Sequence, residues 1–305
     1  MRREIIATIT ALVLGVAGGC DSGEGPRATP ADPASTSTSV ATPGNNGGAA
    51  PGPAPPAAPP SSGPVPGASN VDAASVAASL ANAERAIRDP GKGTGELEKA
   101  GRVQQDAYRA LVDHPEWMPQ VLRTVPASLQ ETVRANVSAG TELRALGKPR
   151  TALPSWRIVA PAPAQELLGH YKAAEAALGI PWQYLAAIHL VETRMGRIRG
   201  TSVAGAQGPM QFLPATWSRY GNGGDINSNR DAIFGAARLL AANGGPGNMG
   251  NALYRYNPTP RYVNAVTAYA GQMRGNERVY LGYYHWQVYY RMVDGDRLLP
   301  VGYGT

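Results

Sequence analysis

The sequence predicts a mainly α-helical protein that follows a long N-terminal segment poor in large apolar residues. Apolar residues recur at intervals of three and four along most of residues 71–295, which is the spacing of one helix face. Alternating polar and apolar residues, the pattern typical of strands, are almost absent. Several of the periodic stretches begin with proline and end with glycine, as helices often do.

The first 19 residues have the composition of a secretory signal. Arg2 and Arg3 precede an apolar run over residues 5–17, which is too short to span a bilayer as an ordinary helix. The run ends in "VAGGC", and these small residues before Cys20 resemble a bacterial lipobox. They predict a lipoprotein signal over residues 1–19 and lipidation of Cys20, which would anchor an extracytoplasmic protein to the cell membrane. An ordinary secretory signal with an incidental cysteine is the alternative.

Residues 20–70 predict a disordered tether. Proline, alanine, glycine, serine and threonine dominate this stretch, and its only larger aliphatic residues are Val40 and Val65. Such a segment buries too little apolar surface to offset the entropy of ordering it. Behind a lipid anchor, the tether would let a folded domain reach away from the membrane.

Residues 71–150 predict two to four helices without a chemical motif. The stretch "VDAASVAASLANAERAIRD" carries Val76, Leu80 and Ile87 near helical spacing. We expect these helices either to pack on the helices that follow or to present a surface to a partner.

A second helical block, residues 155–295, follows a proline-punctuated junction, and residues 296–305 are predicted to be a tail. The helical patterns of this block lie at 164–178, 181–195, 209–220, 228–242, 252–256, 260–273 and 278–292. The last pattern is rich in tyrosine and tryptophan, so it is predicted to pack over the rest of the block, with one or two tyrosines near a cleft.

Glu192 stands out because it is an acid in an apolar helix. At helical spacing, Leu185, Ile188 and Met195 share one face with Glu192. Burial there would raise the pKa of the carboxyl group, and a carboxyl that is protonated near neutral pH suits a general acid. The alternatives are a buried acid paired with a neighbouring arginine, or an acid at the helix end turned to solvent.

A glycine-rich stretch, "GTSVAGAQGPMQFLPATW", follows that helix. Glycines such as Gly208 allow positive φ and let a backbone approach a ligand closely. Gln211 can both donate and accept hydrogen bonds. The stretch therefore indicates either a ligand-binding loop or a tight turn before an ordinary core helix.

Four segments occur in the order of the motifs of lytic transglycosylases: "VETRMG", "GAQGPMQFLPATW", "DINSNRDAIFGAARLL" and "LYRYNPTPRYVNAVTAYA". Over residues 164–273 the chain resembles the membrane-bound type B-like group of the lysozyme-like superfamily. Thr193 follows the glutamate where many relatives have serine, and it keeps a hydroxyl there. The resemblance implies a lysozyme-like helical catalytic domain over residues 155–295.

The resemblance also implies a role for six residues. Glu192 corresponds to the single catalytic acid/base of the family. The other five correspond to two elements that line the sugar cleft, a "GxMQ" element and a "YN" element that also helps to position the glutamate: Gly208, Met210, Gln211, Tyr256 and Asn257.

The implied reaction is cleavage of the β-1,4 bond between N-acetylmuramic acid and N-acetylglucosamine in peptidoglycan glycan strands. Glu192 would protonate the glycosidic oxygen while the substrate's own N-acetyl group stabilises C1. The carboxylate would then take the proton of the C6 hydroxyl, which attacks C1 of the same sugar and closes a 1,6-anhydro ring. Ring closure benefits from proximity, and the reaction needs no cofactor.

Two alternatives to this function stay open. Ordinary hydrolysis uses two carboxylates, and Asp225 is the candidate partner of Glu192 because it lies in a glycine-flanked loop. Asp231, three residues after Ser228, is predicted to serve a helix cap instead. A non-catalytic lipoprotein that only binds peptidoglycan is the second alternative. Residues 71–150 are also a candidate docking module for cell-wall synthesis proteins, which is compatible with the transglycosylase.

Charge and motif composition exclude other classes. The net charge of +6 suits an anionic cell-wall polymer or a lipid surface. The four histidines show no zinc spacing, and no nucleotide-binding fingerprint occurs. The alternation of Asp225, Asn227 and Asn229 resembles a calcium loop, but Arg230 and Ala236 stand where glycine and glutamate are needed. The sequence therefore predicts no metal, no organic cofactor and no nucleic-acid partner.

Overall fold

The computed structural model describes residues 71–304, which belong to one compact unit. The predicted signal over residues 1–19, the lipidation site at Cys20 and the tether over residues 20–70 lie outside the described residues.

Helices dominate this part of the chain, so the prediction of a mainly α protein is confirmed. The helices are α1 (Ala73–Arg88), α2 (Thr94–Asp113), α3 (Met118–Thr124), α4 (Ala127–Arg144), α5 (Ala164–Leu178), α6 (Trp182–Thr193), α7 (Pro214–Tyr220), α8 (Asn229–Ala242), α9 (Met249–Tyr256), α10 (Pro260–Gly275) and α11 (Val279–Tyr284). A 3₁₀ turn, Pro115–Trp117, precedes α3. Among residues 71–304, no helix combines the length and apolar character needed to cross a membrane.

Four short strands form two antiparallel pairs. Strand β1 (Arg157–Ile158) pairs with β2 (Ile198–Arg199), and β3 (Val288–Met292) pairs with β4 (Gly295–Leu299). Strand β2 follows α6 closely, so the first pair lies just beyond the end of that helix.

The C-terminal prediction of one helix over residues 278–292 is wrong, because that helix ends at Tyr284. Residues 288–299 form a β-hairpin, which also takes up the first part of the predicted tail over residues 296–305. The buried side chains of β3 alternate along its first three residues, and Asp294 precedes Gly295 at φ +116 where the chain turns. An Asp-Gly pair between aromatic and β-branched residues favours a hairpin. This preference decides the structure of residues 288–299, although the spacing of the preceding tyrosines predicted a helix.

One apolar core runs through both helical blocks. It contains Leu80, Leu111 and Val133 from the first block together with Ile188 and Val266 from the second. The first block therefore packs on the second, which is one of the two roles predicted for residues 71–150.

Polar contacts join α4 to the first turn of α10. Glu142 forms an ion pair with Arg261 at 2.7 Å and accepts a hydrogen bond from Asn264 at 3.1 Å. Nearer the C-terminus, the hydroxyl of Tyr283 donates to Oδ1 of Asn136 at 2.6 Å. These side chains fix α10 and α11 against helices of the first block.

The start of helix α8 was predicted from its capping residue. The hydroxyl of Ser228 accepts a hydrogen bond from the backbone N–H of Asp231 at 3.3 Å, which caps the start of α8. The carboxylate of Asp231 accepts from the N–H of Asp225 instead of that of Ser228, so only the serine half of the predicted cap forms. The predicted helix over residues 209–220 begins only at Pro214, because the preceding residues form a separate turn.

Candidate active site

Helix α6 buries Glu192 among neighbouring helices. The helix packs against α5, α8 and α10, and nearly all of its residues are buried. The predicted burial of Leu185, Ile188 and Glu192 is confirmed, and the other faces of the helix are largely buried as well. Glu192 lies one residue before the end of α6, and its side chain is only 1% exposed.

The end of α6 is an unusual turn. Arg194, Met195 and Gly196 follow the helix with φ values of 53°, 60° and 79°. Three successive residues in the left-handed region stop the helix and reverse the chain. Met195 is therefore not on the same helix face as Glu192, although the spacing predicted that it would be.

Glu192 has one fixed and one free carboxyl oxygen. The hydroxyl of Tyr262 donates a hydrogen bond to Oε1 of Glu192 at 2.8 Å. Oε2 is buried, and it has no hydrogen-bond partner among residues 71–304. The alternative of an acid turned to solvent is wrong, because Glu192 is buried. The alternative of a pairing arginine is also wrong for residues 71–304, and Arg194 donates to the carbonyl of Leu190 instead.

This environment keeps the carboxyl group protonated. Burial raises the pKa of Glu192 to about 8, and the hydrogen bond from Tyr262 opposes part of that rise. At pH 7 roughly ten molecules then carry the proton for each one that lacks it. Burial also raises the pKa of Tyr262 well above its ordinary value, so its hydroxyl remains a donor. Oε2 is thus the oxygen that is free to hold a transferable proton.

A tight turn over residues 207–212 contains the predicted "GxMQ" element. Gln207 and Phe212 close it by exchanging backbone hydrogen bonds of 2.8 and 2.9 Å. Gly208 has φ +73, and a Cβ atom there would lie 1.9 Å from the carbonyl oxygen of Ile226. Gln211 has φ +49, and its side-chain nitrogen donates to the carbonyl of Gly208 at 3.0 Å. Only glycine fits at position 208, because backbone packs directly against it.

Two helices hold this turn through hydroxyl groups. Thr193, next to Glu192 on α6, donates to the carbonyl of Pro209 at 2.6 Å. Tyr256 at the end of α9 donates to the carbonyl of Met210 at 2.5 Å. Two consecutive carbonyls are therefore fixed, one by the neighbour of the acid and the other by the predicted "YN" element.

The aromatic residues connect the turn to the acid. The rings of Tyr256 and Tyr262 are parallel, with an interplanar angle of 4° and centroids 6.2 Å apart. Asn257 is buried, and within residues 71–304 its side-chain nitrogen donates to no acceptor. Tyr262 is the functional candidate that sequence reasoning missed. It lies five residues after Asn257 in the segment "LYRYNPTPRYVNAVTAYA", but nothing in its position along the sequence predicts its contact with Glu192.

Asp225 does not join the buried site. It is exposed, its carboxylate accepts a hydrogen bond from the backbone of Asn227 at 2.9 Å, and its own N–H donates to Asp231 at 3.1 Å. Across the described chain, the only hydrogen bond to the carboxyl group of Glu192 comes from Tyr262. The loop that carries Asp225 reaches the turn through its backbone at Ile226.

Nearby titratable groups do not form a metal site. His189 is buried, and its Nδ1 lies 2.7 Å from the hydroxyl of Tyr171. Burial lowers the pKa of His189 to about 3, so its imidazole is neutral. Over residues 71–304, no three histidine, cysteine, aspartate or glutamate side chains group in a way that suits a metal ion.

A surface groove of about 820 Å³ lies beside the turn. Gln207, Gly208 and Asn227 form one part of its wall, and Arg157 and Arg199 belong to the same groove. Comparison of the chain with protein-family models, with curated proteins and with solved structures found no match.

Proposed function

We propose that the protein is a lytic transglycosylase that cleaves the β-1,4 bond between N-acetylmuramic acid and N-acetylglucosamine in peptidoglycan. Glu192 is its single general acid/base, and residues 155–295 form a lysozyme-like catalytic domain. The observation that carries the proposal is the buried Glu192, which has a pKa near 8, one oxygen bonded to Tyr262 and the other free. The order of the four family-like segments supports the same assignment.

The first step uses the protonated carboxyl group. Oε2 of Glu192 donates its proton to the glycosidic oxygen as the bond from that oxygen to C1 breaks. The acetamido oxygen of the muramic acid residue stabilises the positive charge at C1. Glu192 is now a carboxylate, and the hydrogen bond from Tyr262 stabilises its negative charge.

The second step returns the proton. The C6 hydroxyl of the muramic acid residue attacks C1, the acetamido oxygen withdraws, and the hydroxyl proton passes to Glu192. The products are a 1,6-anhydro sugar and a new 4-hydroxyl end, and the enzyme regains its initial protonation state. A carboxyl group with a pKa near 8 suits both steps, because it loses and regains a proton close to neutral pH.

The turn over residues 207–212 supplies the sugar contacts in this proposal. Its backbone is held by Thr193 and Tyr256, so groups on the turn keep a fixed distance from the acid. Gln211 and Asn257 provide amide groups that suit sugar hydroxyls and acetamido groups. A pre-organised turn lowers the entropy lost when the glycan binds.

Hydrolysis with a second carboxylate is the less favoured candidate. Asp225 is exposed, and its carboxylate accepts a hydrogen bond from its own loop. The buried neighbourhood of Glu192 instead favours a reaction in which the nucleophile belongs to the substrate. The lipoprotein signal and lipidation of Cys20 remain part of the proposal and would hold the enzyme at the extracytoplasmic face of the cell membrane.

Digestion of purified peptidoglycan by the full chain and by a Glu192→Gln variant tests the proposal. The native protein should release muropeptides with anhydro ends, lighter than reducing ends by the mass of one water, and the variant should release none. Reducing ends from the native protein would identify a hydrolase and direct attention to Asp225. Intact glycan with retained binding would identify a peptidoglycan-binding protein instead.

A further inference from the structure

Two arginines face each other across the short sheet beside the proposed active site. Arg157 of β1 is the direct partner of Arg199 of β2 in the antiparallel register. Side chains of directly opposite residues lie on the same face of a sheet, and like charges in such a pair are destabilising. The backbone pairing of Ile158 with Ile198, which belong to a small apolar cluster, forces the two charges together.

Neither charge is neutralised by an acid. Within the described part of the chain, Arg157 and Arg199 form no ion pair, and Arg199 makes only a long hydrogen bond of 3.4 Å to the carbonyl of Asn227. Burial first, and then the charge of Arg157, lower the pKa of Arg199 from its ordinary value. An unneutralised pair of like charges is a cost to the fold that an anionic ligand would remove.

The groove around these arginines lacks negative charge. Among the described residues, neither aspartate nor glutamate lines it, and its remaining wall is formed by small, polar and aliphatic residues. Its volume of about 820 Å³ is large enough for several linked sugar or amino-acid units. The groove therefore combines positive charge with the space to hold part of a polymer.

The groove also reaches the proposed catalytic machinery. Gln207 and Gly208 belong both to its wall and to the turn that Thr193 holds through the carbonyl of Pro209. Thr193 is the residue next to Glu192. A polymer that lies in the groove would therefore contact the turn that adjoins Glu192.

We propose that Arg157 and Arg199 bind a carboxylate carried by the glycan substrate and so make the enzyme selective for carboxylate-bearing strands over neutral ones. This inference rests on the proposed function. The planar guanidinium groups present forked pairs of N–H donors that match a carboxylate. In peptidoglycan, this carboxylate belongs to the peptide stem where a stem is attached, because the lactyl carboxyl of muramic acid is then part of an amide bond. It belongs to the lactyl group where the stem has been removed.

Binding experiments on an inactive background test the inference separately from catalysis. We would measure co-sedimentation of the full-length Glu192→Gln protein with three insoluble polymers: peptidoglycan with its stems, peptidoglycan stripped of stems by an amidase, and neutral chitin. Adding Arg157→Gln and Arg199→Gln should weaken binding to the peptidoglycan that carries the recognised carboxylate by about tenfold to a hundredfold, because charge-assisted hydrogen bonds are lost. Binding to chitin should not change.

The stripped polymer identifies which carboxylate is bound. A loss of affinity confined to the stripped polymer assigns the lactyl carboxylate, which is free only there, and a loss confined to stem-bearing peptidoglycan assigns the stem. Losses on both polymers show that the arginines bind either carboxylate. The matched control is Arg123→Gln with Arg134→Gln, two exposed arginines of the first block, which changes the net charge by the same amount. The control should leave affinity for all three polymers nearly unchanged.

Equal losses in the groove variant and in the control, or an equal loss on chitin, would overturn the inference. The single Arg157→Gln variant guards against misfolding, since Arg157 is exposed and its replacement relieves the like-charge contact. Its melting temperature should equal or exceed that of the native protein, and it should still lose affinity for carboxylate-bearing polymer. If the native protein cleaves no glycan but the arginine effect persists, the proposed function fails and the anion site stands.

Discussion

Tyr262 donates its hydroxyl hydrogen to Oε1 of Glu192 over 2.8 Å, and both side chains are buried. The two residues come from α10 and α6, so the packing of these helices sets the contact. The bond favours the ionised carboxyl, while burial favours the protonated one. The balance of these two effects leaves the pKa of Glu192 near neutrality.

The Tyr262→Phe variant should lose activity and shift its pH dependence. Without the hydrogen bond the carboxylate is less stable, so the pKa of Glu192 should rise by about one unit. The descending limb of the rate profile should move to higher pH, and the maximal rate should fall about tenfold because the ionised intermediate state loses one charge-assisted bond. Initial rates on peptidoglycan between pH 5 and pH 10 measure both effects, and an unmoved limb would contradict this role of Tyr262.

Glu192 should also make folding stability depend on pH. The carboxyl has an ordinary pKa of 4.5 in an unfolded chain and about 8 in the folded protein. Between these values the unfolded chain loses the proton while the folded protein keeps it, so the free energy of unfolding should fall as pH rises. The full effect is on the order of 3–5 kcal/mol.

The Glu192→Gln variant isolates this effect, because glutamine cannot ionise. Urea unfolding at pH 5 and pH 8 should show the native protein losing stability relative to the variant at the higher pH. Parallel changes in both proteins would mean that the carboxyl group of Glu192 titrates normally.

Gly208→Ala should disrupt the turn beside the acid. The new Cβ would meet the backbone carbonyl of Ile226 at 1.9 Å, so the turn and the loop must separate. Gly223→Ala is the matched control, since its φ of 76° is similar but a Cβ atom there meets no other atom within 4 Å.

The control should destabilise the protein by about 1–2 kcal/mol through backbone strain alone and keep its activity. Gly208→Ala should lower the melting temperature further and abolish glycan cleavage. Equal melting temperatures for the two variants would show that the close approach of Gly208 to Ile226 does not contribute to stability.

The Thr193→Val variant should break the contact between α6 and the turn over residues 207–212, with little change in side-chain size. The substitution leaves the buried carbonyl of Pro209 and the N–H of Gly196 without the hydroxyl that each now contacts. We expect a stability loss of about 1–3 kcal/mol and at least a tenfold fall in rate. Thr193→Ser should restore most of both, and failure of serine to do so would point to the methyl group instead.

Asp225→Asn should leave the cleavage rate unchanged. Asparagine keeps the oxygen that accepts the N–H of Asn227, so the loop should retain its shape. A hydrolase that used Asp225 as nucleophile or base would lose most of its activity. Rate and product mass should be measured together, since they separate these outcomes.

The sequence predicted parts of the site that depend on local patterns. The cap at Ser228, the burial of Glu192 and the turn around Gly208 follow from short-range chemistry. The Glu192–Tyr262 contact was not predictable, because it joins residues 70 positions apart whose meeting depends on tertiary packing.

Two local features were not predicted, for different reasons. The turn after α6 uses Arg194 and Met195 at positive φ, where glycine would have been the recognisable sign. The hairpin at Asp294 and Gly295 carried a genuine turn signal, yet the regular spacing of the preceding tyrosines favoured a helix.

The ion pair between Glu142 and Arg261 has a consequence for which part of the chain can be moved into another protein. Arg261 is the immediate neighbour of Tyr262, which donates a hydrogen bond to Glu192. Helix α4 of the first block therefore holds the start of α10 next to Tyr262. The change in composition near residues 150–155 suggests a seam, but the core is continuous across it. A gene fusion that transferred only residues 155–295 would expose apolar surface and leave α10 unsupported. We therefore expect a fusion protein that carries both helical blocks, residues 71–304, to be more stable than one that carries the second block alone.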